Sequence, residues 1–116
     1  MKTKTTAIPR DTTQIPKPGA NPAAALIHDT LEHYSLTQVA AAAAMKISPA
    51  LLSDVIRQRK GVSPALALRF EACFGVPADF LVRLQSAHDF QKAYHAKGPA
   101  IRKQVKRYLT HGRSPS

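Results

Sequence analysis

The segment from Gln38 to Val55 limits the fold most, because small and apolar residues recur there at the spacing that two steeply crossing helices require. Counted from Gln38, the fifth position holds Ala42, and the tenth, fifteenth and eighteenth hold Ile47, Leu52 and Val55. A small side chain at the fifth position lets the two backbones approach, and the three apolar residues let the second helix pack back on the first. This spacing predicts a helix-turn-helix, the layout of many DNA-reading proteins.

Local sequence signals mark where the helices begin and end. The alanine run 40–44 has the highest helix propensity available, and Ser48-Pro49 and Ser63-Pro64 each join a capping residue to a proline suited to the first helical position. Asn21-Pro22 has the same form, and Gly75 is a natural helix end. We predict an all-α fold of five helices: one from Pro22, then Thr37–Met45, Pro49–Arg57, Pro64–Phe74 and Ala78–Ala96.

The charge of the chain is concentrated at its ends. Of the formal net charge of +10, residues 1–21 carry +3 and residues 97–116 carry +6. Residues 1–21 also have few large apolar side chains, so we expect a flexible arm there, a folded domain at 22–96, and a basic helix with a tail at 97–116. Such an excess favours a polyanionic partner, although basic tails also occur in small proteins that have no specific partner.

Two helical stretches each have an apolar face that can bury against more than one partner. After Gly98-Pro99, Ile101 and Val105 lie on an apolar face opposite a basic one. The apolar face can dock on the domain or on a second subunit, and the basic face can contact phosphates or, as the least favoured choice, a membrane surface. The apolar face of helix 5 packs on helix 1 or forms a dimer interface, with Phe80, Leu81, Leu84, Phe90 and Tyr94 as the candidates.

Short motifs follow one another without gaps between about residues 21 and 96. They are Leu36-Thr37-Gln38, Ile47-Ser48, RKGVSPALALR at 59–69, Phe80, and LQSAHD at 84–89. These motifs resemble the HigA-type antitoxins, a branch of the lambda-repressor-like (Xre) helix-turn-helix proteins. The resemblance implies a homodimer that binds an operator palindrome, represses its own operon and neutralises a RelE-like, ribosome-dependent mRNA endonuclease toxin.

The predicted DNA-reading helix departs from that family at its first turn. Pro49, Ala50 and Leu51 stand where the family often has polar or basic side chains, and Asp54 can either repel phosphates or accept from a cytosine amine. Lys46 occupies a turn position that the family usually gives to glycine. Either its backbone is left-handed, at a cost of about 1 kcal/mol, or the turn has a different geometry.

Side-chain chemistry divides the DNA-binding roles among eight residues. Positioning hydrogen bonds are assigned to Gln38, Ser48 and Ser53, phosphate contacts to Arg57, Arg59 and Lys60, and base-edge contacts to Ala50 and Gln58. The alternative is an exposed helix with ordinary solvated charges.

Other functional classes find no support in the residues. Cys73 is the only cysteine, which excludes a disulfide framework, and we expect it in the core. The histidine pairs 28/33 and 88/95 lack the i,i+4 spacing that would place two imidazoles on one helix face, so we predict neither a metal site nor a cofactor. Without a catalytic constellation, a membrane-length apolar run or a signal peptide, we expect a cytoplasmic protein that is not an enzyme.

The favoured prediction is an operator-binding antitoxin whose partners are double-stranded operator DNA, a cognate toxin and a second copy of the chain. Two alternatives remain open. One is a stand-alone regulator of the same family, and the other is a protein-interaction module that has lost sequence-specific DNA binding.

Overall fold

The computed structural model describes residues 15–105 and Tyr108. Within this part of the chain the structure is all-α, as predicted, and the boundaries of the first four helices lie within a residue or so of the expected ones. The part of the expected arm before residue 15 and most of the tail after residue 105 lie outside the described residues. The helices are α1 (Pro22–His33), α2 (Gln38–Met45), α3 (Pro49–Ile56), α4 (Pro64–Phe74) and α5 (Ala78–Gln104).

Each of the first four helices begins with a residue whose side chain caps the helix. Asn21 Oδ1 accepts from the Ala23 N–H at 2.9 Å, and the hydroxyls of Thr37, Ser48 and Ser63 each accept from the N–H three residues on at 3.1 Å. A proline follows the cap in α1, α3 and α4. Because each cap satisfies an otherwise unpaired N–H and contributes about 1 kcal/mol, these boundaries are encoded locally.

The first three helices end in one common way, with a non-glycine residue in the left-handed region. These residues are Ser35 (φ 55°), Lys46 (φ 61°) and Gln58 (φ 65°). At the end of α2, the Lys46 N–H donates to the Ala43 carbonyl and the Ile47 N–H to the Ala42 carbonyl, which is the Schellman arrangement. Of the two alternatives for Lys46, the strained left-handed backbone is the one observed.

The predicted helix-turn-helix is formed by α2 and α3, which meet at a bend of 115° across the turn of residues 46–48. Ala42, Leu52 and Val55 are fully buried, and Ile47 packs against the core, so the spacing prediction is confirmed. In the described part of the chain, no single helix is long and apolar enough to cross a membrane, and α2 and α3 reach that composition only jointly, across their bend.

One apolar core joins all five helices. α3 packs against α1 and α2, and α2 packs against α4. The largest fully buried side chains of this core are Phe70, Ile27, Met45, Leu52, Leu81 and Val55.

The chain divides into two compact units. The larger one, Pro18–Phe90, contains the core. The described residues of the smaller one are 15–17, 91–105 and 108. Within the smaller unit, His95 Nε2 lies 2.9 Å from the carbonyl oxygen of Ile15 and 3.1 Å from that of Pro16. Carbonyl oxygens only accept, so this nitrogen carries the hydrogen and donates to them.

α5 is longer than predicted, because it continues through Pro99 to Gln104 instead of ending near Ala96. The expected break at Gly98-Pro99 is therefore wrong. A proline normally clashes with the Cβ of the residue before it, and Gly98 has no Cβ, so part of the usual obstacle to a helix is missing at this step.

Candidate nucleic-acid interface

α3 presents one outward face that carries three of the eight predicted DNA-binding residues. Ala50 and Ser53 lie on this face with Asp54, and Arg57, the residue that caps the end of α3, continues it at the i+7 position. Ala50 and Arg57 are exposed, and Ser53 and Asp54 are half-buried. On the opposite side of the helix, Leu52 and Val55 are fully buried.

The first turns of α2 and α3 hold the predicted positioning residues. Ser48 Oγ accepts from the Leu51 N–H at 3.1 Å, which leaves the hydroxyl hydrogen available to a phosphate oxygen. Gln38 is the first residue of α2 and is half-buried. Leu51 packs partly against the core, so Ala50 is the more exposed apolar contact at this end of α3.

The loop after α3 folds back over the end of the helix and places the side chains of Arg59 and Lys60 near Asp54. The N–H groups of Arg59 and Lys60 donate to the Asp54 carbonyl at 2.7 and 3.2 Å. Arg59 Nη1 and Lys60 Nζ lie 3.7 and 4.0 Å from the Asp54 carboxylate, and the two side chains are 65% and 61% exposed. Ion pairs this long and this exposed are weak in water, so a phosphate can replace Asp54 as the partner.

Gln58 is held by the fold rather than left free for a base edge. Its backbone is left-handed, and its Oε1 accepts from the Asn21 N–H at 3.0 Å. Its oxygen is therefore occupied inside the chain, and only its amide hydrogens remain available. This contact is at odds with a bidentate base-reading role.

Sequence reasoning gave no role to a buried polar group centred on Gln85. Gln85 Oε1 accepts from the Val62 N–H and from Asn21 Nδ2, each at 2.8 Å, and Gln85 Nε2 donates to Asp89 Oδ1 at 2.9 Å. Gln85 and Asn21 are 8% and 3% exposed. The available signal was a glutamine four residues after Leu81 and three before His88, on the buried face of α5.

The five candidates for a dimer interface separate by burial. Leu81 is fully buried in the core, so its assignment to an interface is wrong. Leu84 is half-buried against the core, whereas Phe80 and Phe90 are 42% and 46% exposed. In the smaller unit, Tyr94 is half-buried, and the guanidinium carbon of Arg102 lies 5.1 Å from its ring centre.

Two further side-chain arrangements differ from expectation. Cys73 is exposed instead of buried, and its Sγ donates to the Ala44 carbonyl at 3.3 Å, because Phe70 and Phe74 take the inner positions of α4. His28, Asp29 and Glu32 form an exposed cluster whose potential ligand atoms lie within 4.8 Å of one another. Nδ1 of His28 lies 3.4 Å from an Asp29 carboxylate oxygen, and Nε2 lies 3.5 Å from a Glu32 carboxylate oxygen.

No model of a known protein family matches the chain. A curated relative, virulence-associated protein I of Dichelobacter nodosus, is 29% identical over 80 residues, which is 69% of this chain and 74% of the relative.

Several solved structures are similar to this chain over most of its length. The Pseudomonas aeruginosa antitoxin HigA, solved with the higBA promoter, is 29% identical with a TM-score of 0.71 and covers 78% of this chain and 98% of its own. The antitoxin GraA is 26% identical with a TM-score of 0.72, covering 79% and 99%. A P. aeruginosa protein in complex with its 18-bp operator DNA is 27% identical with a TM-score of 0.69, also covering 79% and 99%.

The structural neighbours that are antitoxins are DNA-binding regulators and not enzymes. The structural neighbours are HigA and related antitoxins of the Xre helix-turn-helix type, and this chain shares their all-helical fold, as the sequence motifs predicted.

Proposed function

We propose that this chain is a DNA-binding antitoxin that recognises its own operator and represses the operon that encodes it. The observation that carries the proposal is the outward face of α3, bordered by a basic loop, on a fold similar to proteins solved with promoter or operator DNA. In a helix-turn-helix the second helix enters the major groove, so Ala50, Ser53 and Arg57 would meet the DNA there.

The chemistry of this surface favours contacts to the DNA backbone over contacts to base edges. Arg57, Arg59 and Lys60 are exposed cations near the end of α3, and the capping hydroxyl of Ser48 can donate a hydrogen bond at its start. Base-edge readers are few, since Ala50 offers only a methyl group and the oxygen of Gln58 is bonded to Asn21. We therefore expect affinity with a steep salt dependence and moderate sequence discrimination.

The proposal includes two protein partners. One is a RelE/HigB-like mRNA endonuclease toxin, and the other is a second copy of the chain, which a palindromic operator requires. Phe80 and Phe90 are exposed on α5 and support an apolar contact there. Co-purification with the product of a neighbouring small basic reading frame would test the toxin, and sedimentation of the purified chain would test the dimer.

A second candidate function is a protein-interaction module that has lost sequence-specific DNA binding. The observation that favours it is the poor base-reading content of the outward face, where Ala50 and Asp54 stand. A stand-alone regulator without a toxin is the third reading and shares the DNA prediction of the first.

The deciding experiment measures binding to DNA from upstream of the gene, by fluorescence anisotropy across a salt series with nonspecific competitor. Replacing Arg57, Arg59 and Lys60 together with alanine should weaken binding and reduce the slope of log K against log salt by about 2 to 3, because each phosphate contact contributes about 0.9. Arg83→Ala also removes one exposed cation, but from an ion pair with Asp79 on α5, and should leave the slope unchanged.

The outcomes separate the candidates. Operator binding that survives excess competitor supports the repressor. Binding that is abolished by competitor of any sequence supports the interaction module, and an unchanged slope in the triple variant contradicts the role assigned to the three cations.

A further inference from the structure

The loop that carries Arg59 and Lys60 is fastened at both ends by a closed chain of hydrogen bonds. At its start, Gln58 Oε1 accepts from the Asn21 N–H at 3.0 Å. At its end, the Val62 N–H donates to Gln85 Oε1 at 2.8 Å. Asn21 Nδ2 donates to the same Gln85 oxygen at 2.8 Å and closes the circuit. The two cations lie between the fastened ends.

Gln85 is the member of this circuit that α5 contributes, and its orientation is fixed. Its Nε2 donates to Asp89 Oδ1, one helical turn on, at 2.9 Å, so the amide oxygen must face the loop. With 8% of its surface exposed, Gln85 is shielded from water, and both N–H groups that it accepts from would lose their partner without it.

The loop backbone also lies directly against this amide. A Cβ added to Gly61 would approach Cδ and Nε2 of Gln85 to 3.0 Å, which is tighter than nine in ten real Cβ contacts, so the amide would have to shift by a few tenths of an ångström. Gly61 therefore lets the chain pass over Gln85. The close approach of Gly61 to Gln85 thus links the loop motif to the LQSAHD segment of α5.

We infer that Gln85 is a positioning residue for DNA binding: it touches no DNA itself but holds the segment of residues 58–62 in the shape that presents Arg59 and Lys60 to phosphates. The inference rests on the proposed DNA-binding function. Because the loop is already ordered before binding, DNA binding does not cost the conformational entropy of ordering it, and Arg59 and Lys60 bind phosphates more tightly.

The first test removes the hydrogen-bonding amide. Gln85→Met keeps the length and helix propensity of the side chain but can neither accept from Val62 nor donate to Asp89. Hydrogen exchange of the Val62 amide should accelerate by about tenfold or more while the amides of α2 stay protected. Affinity for operator DNA should fall by about tenfold.

A double-mutant cycle separates positioning from general stability. In a chain that already carries Arg59→Ala and Lys60→Ala, Gln85→Met should change DNA affinity by less than about twofold, because the cations that it positions are gone. An equal loss of affinity in both backgrounds would overturn the inference.

A charge-conserving exchange supplies the matched rescue. Gln85→Glu alone places two carboxylates side by side and should weaken DNA binding, whereas Gln85→Glu with Asp89→Asn restores all three hydrogen bonds with the donor and acceptor reversed at residue 89. The double variant should return to within about twofold of the wild-type affinity. Its failure to do so would overturn the inference, and this comparison carries the test if Gln85→Met does not fold.

If the wild-type chain binds no operator DNA, the proposed function fails. The exchange rate of the Val62 amide in the same variants then still shows whether Gln85 holds the loop.

Discussion

Lys46→Gly should stabilise the protein, although it removes a side chain from the turn of the helix-turn-helix. Lys46 has φ 61° and ψ 41°, close to the ideal left-handed helix, where an L-residue is strained by roughly 1–2 kcal/mol. Glycine has no such strain but makes the unfolded chain more flexible, which offsets roughly 0.5–1 kcal/mol of the gain. The net increase in the free energy of unfolding is therefore roughly 0.5–1 kcal/mol.

Thermal unfolding followed by circular dichroism at 222 nm measures this effect. For a domain of this size, such an increase raises the melting temperature by roughly 2–8 °C. Lys46→Ala is the matched control, because it loses the same charge and side-chain length but keeps the Cβ that causes the strain. The difference between the glycine and alanine variants therefore isolates the backbone contribution.

Two other helix ends extend the comparison. Ser35→Gly should stabilise by a similar amount, since Ser35 has φ 55° in the same kind of helix end. Gln58→Gly should gain less, because it also removes the acceptor of the Asn21 N–H. A melting temperature of Lys46→Gly that is no higher than that of Lys46→Ala would refute the reasoning.

Two further predictions concern single charges. Asp54→Asn should tighten DNA binding by about two- to fivefold in anisotropy titrations, because it frees Arg59 and Lys60 from their ion pairs. Weaker binding would mean that the carboxylate itself accepts a hydrogen bond from DNA. The hydrogen bond and charge of Arg83 lower the pKa of Asp79, so the small contribution of this pair to stability is complete above the ordinary carboxyl range and is lost as the pH falls through the lowered pKa. In an NMR titration, Arg83→Ala should raise the midpoint of Asp79, and an unmoved midpoint would show that the pair does not form in solution.

The sequence allowed prediction of features that are set within a few residues. Ser48 and Ser63 cap the helices where they were expected to, and the spacing of Ala42 and Leu52 placed both in the core. Local information failed for α5. Both Phe80 and its neighbour Leu81 are apolar, so periodicity alone did not decide which of them faces inward.

The candidate interface was predictable in part. Charge and position just after α3 identified Arg57, Arg59 and Lys60, which are exposed as a phosphate contact requires. The commitment of Gln58 to Asn21 and the pairing of Asp54 with the loop cations depend on how the chain folds back after α3. Nothing in the residue types alone specifies a left-handed glutamine, because most helix ends of this kind use glycine.

The hydrogen bond between Asn21 and Gln85 also has a consequence for the order in which the chain assembles. The packing of α2 on α3 joins residues close together in sequence, and such contacts cost little loop-closure entropy. Asn21 and Gln85 are 64 positions apart, so their contact waits until α5 has docked. During synthesis the two crossing helices can exist before the ribosome releases Gln85, but the loop between α3 and α4 acquires its final shape only afterwards. A fragment that ends before Gln85 would contain the helix-turn-helix and lack the two hydrogen bonds that Gln85 accepts from Asn21 and Val62.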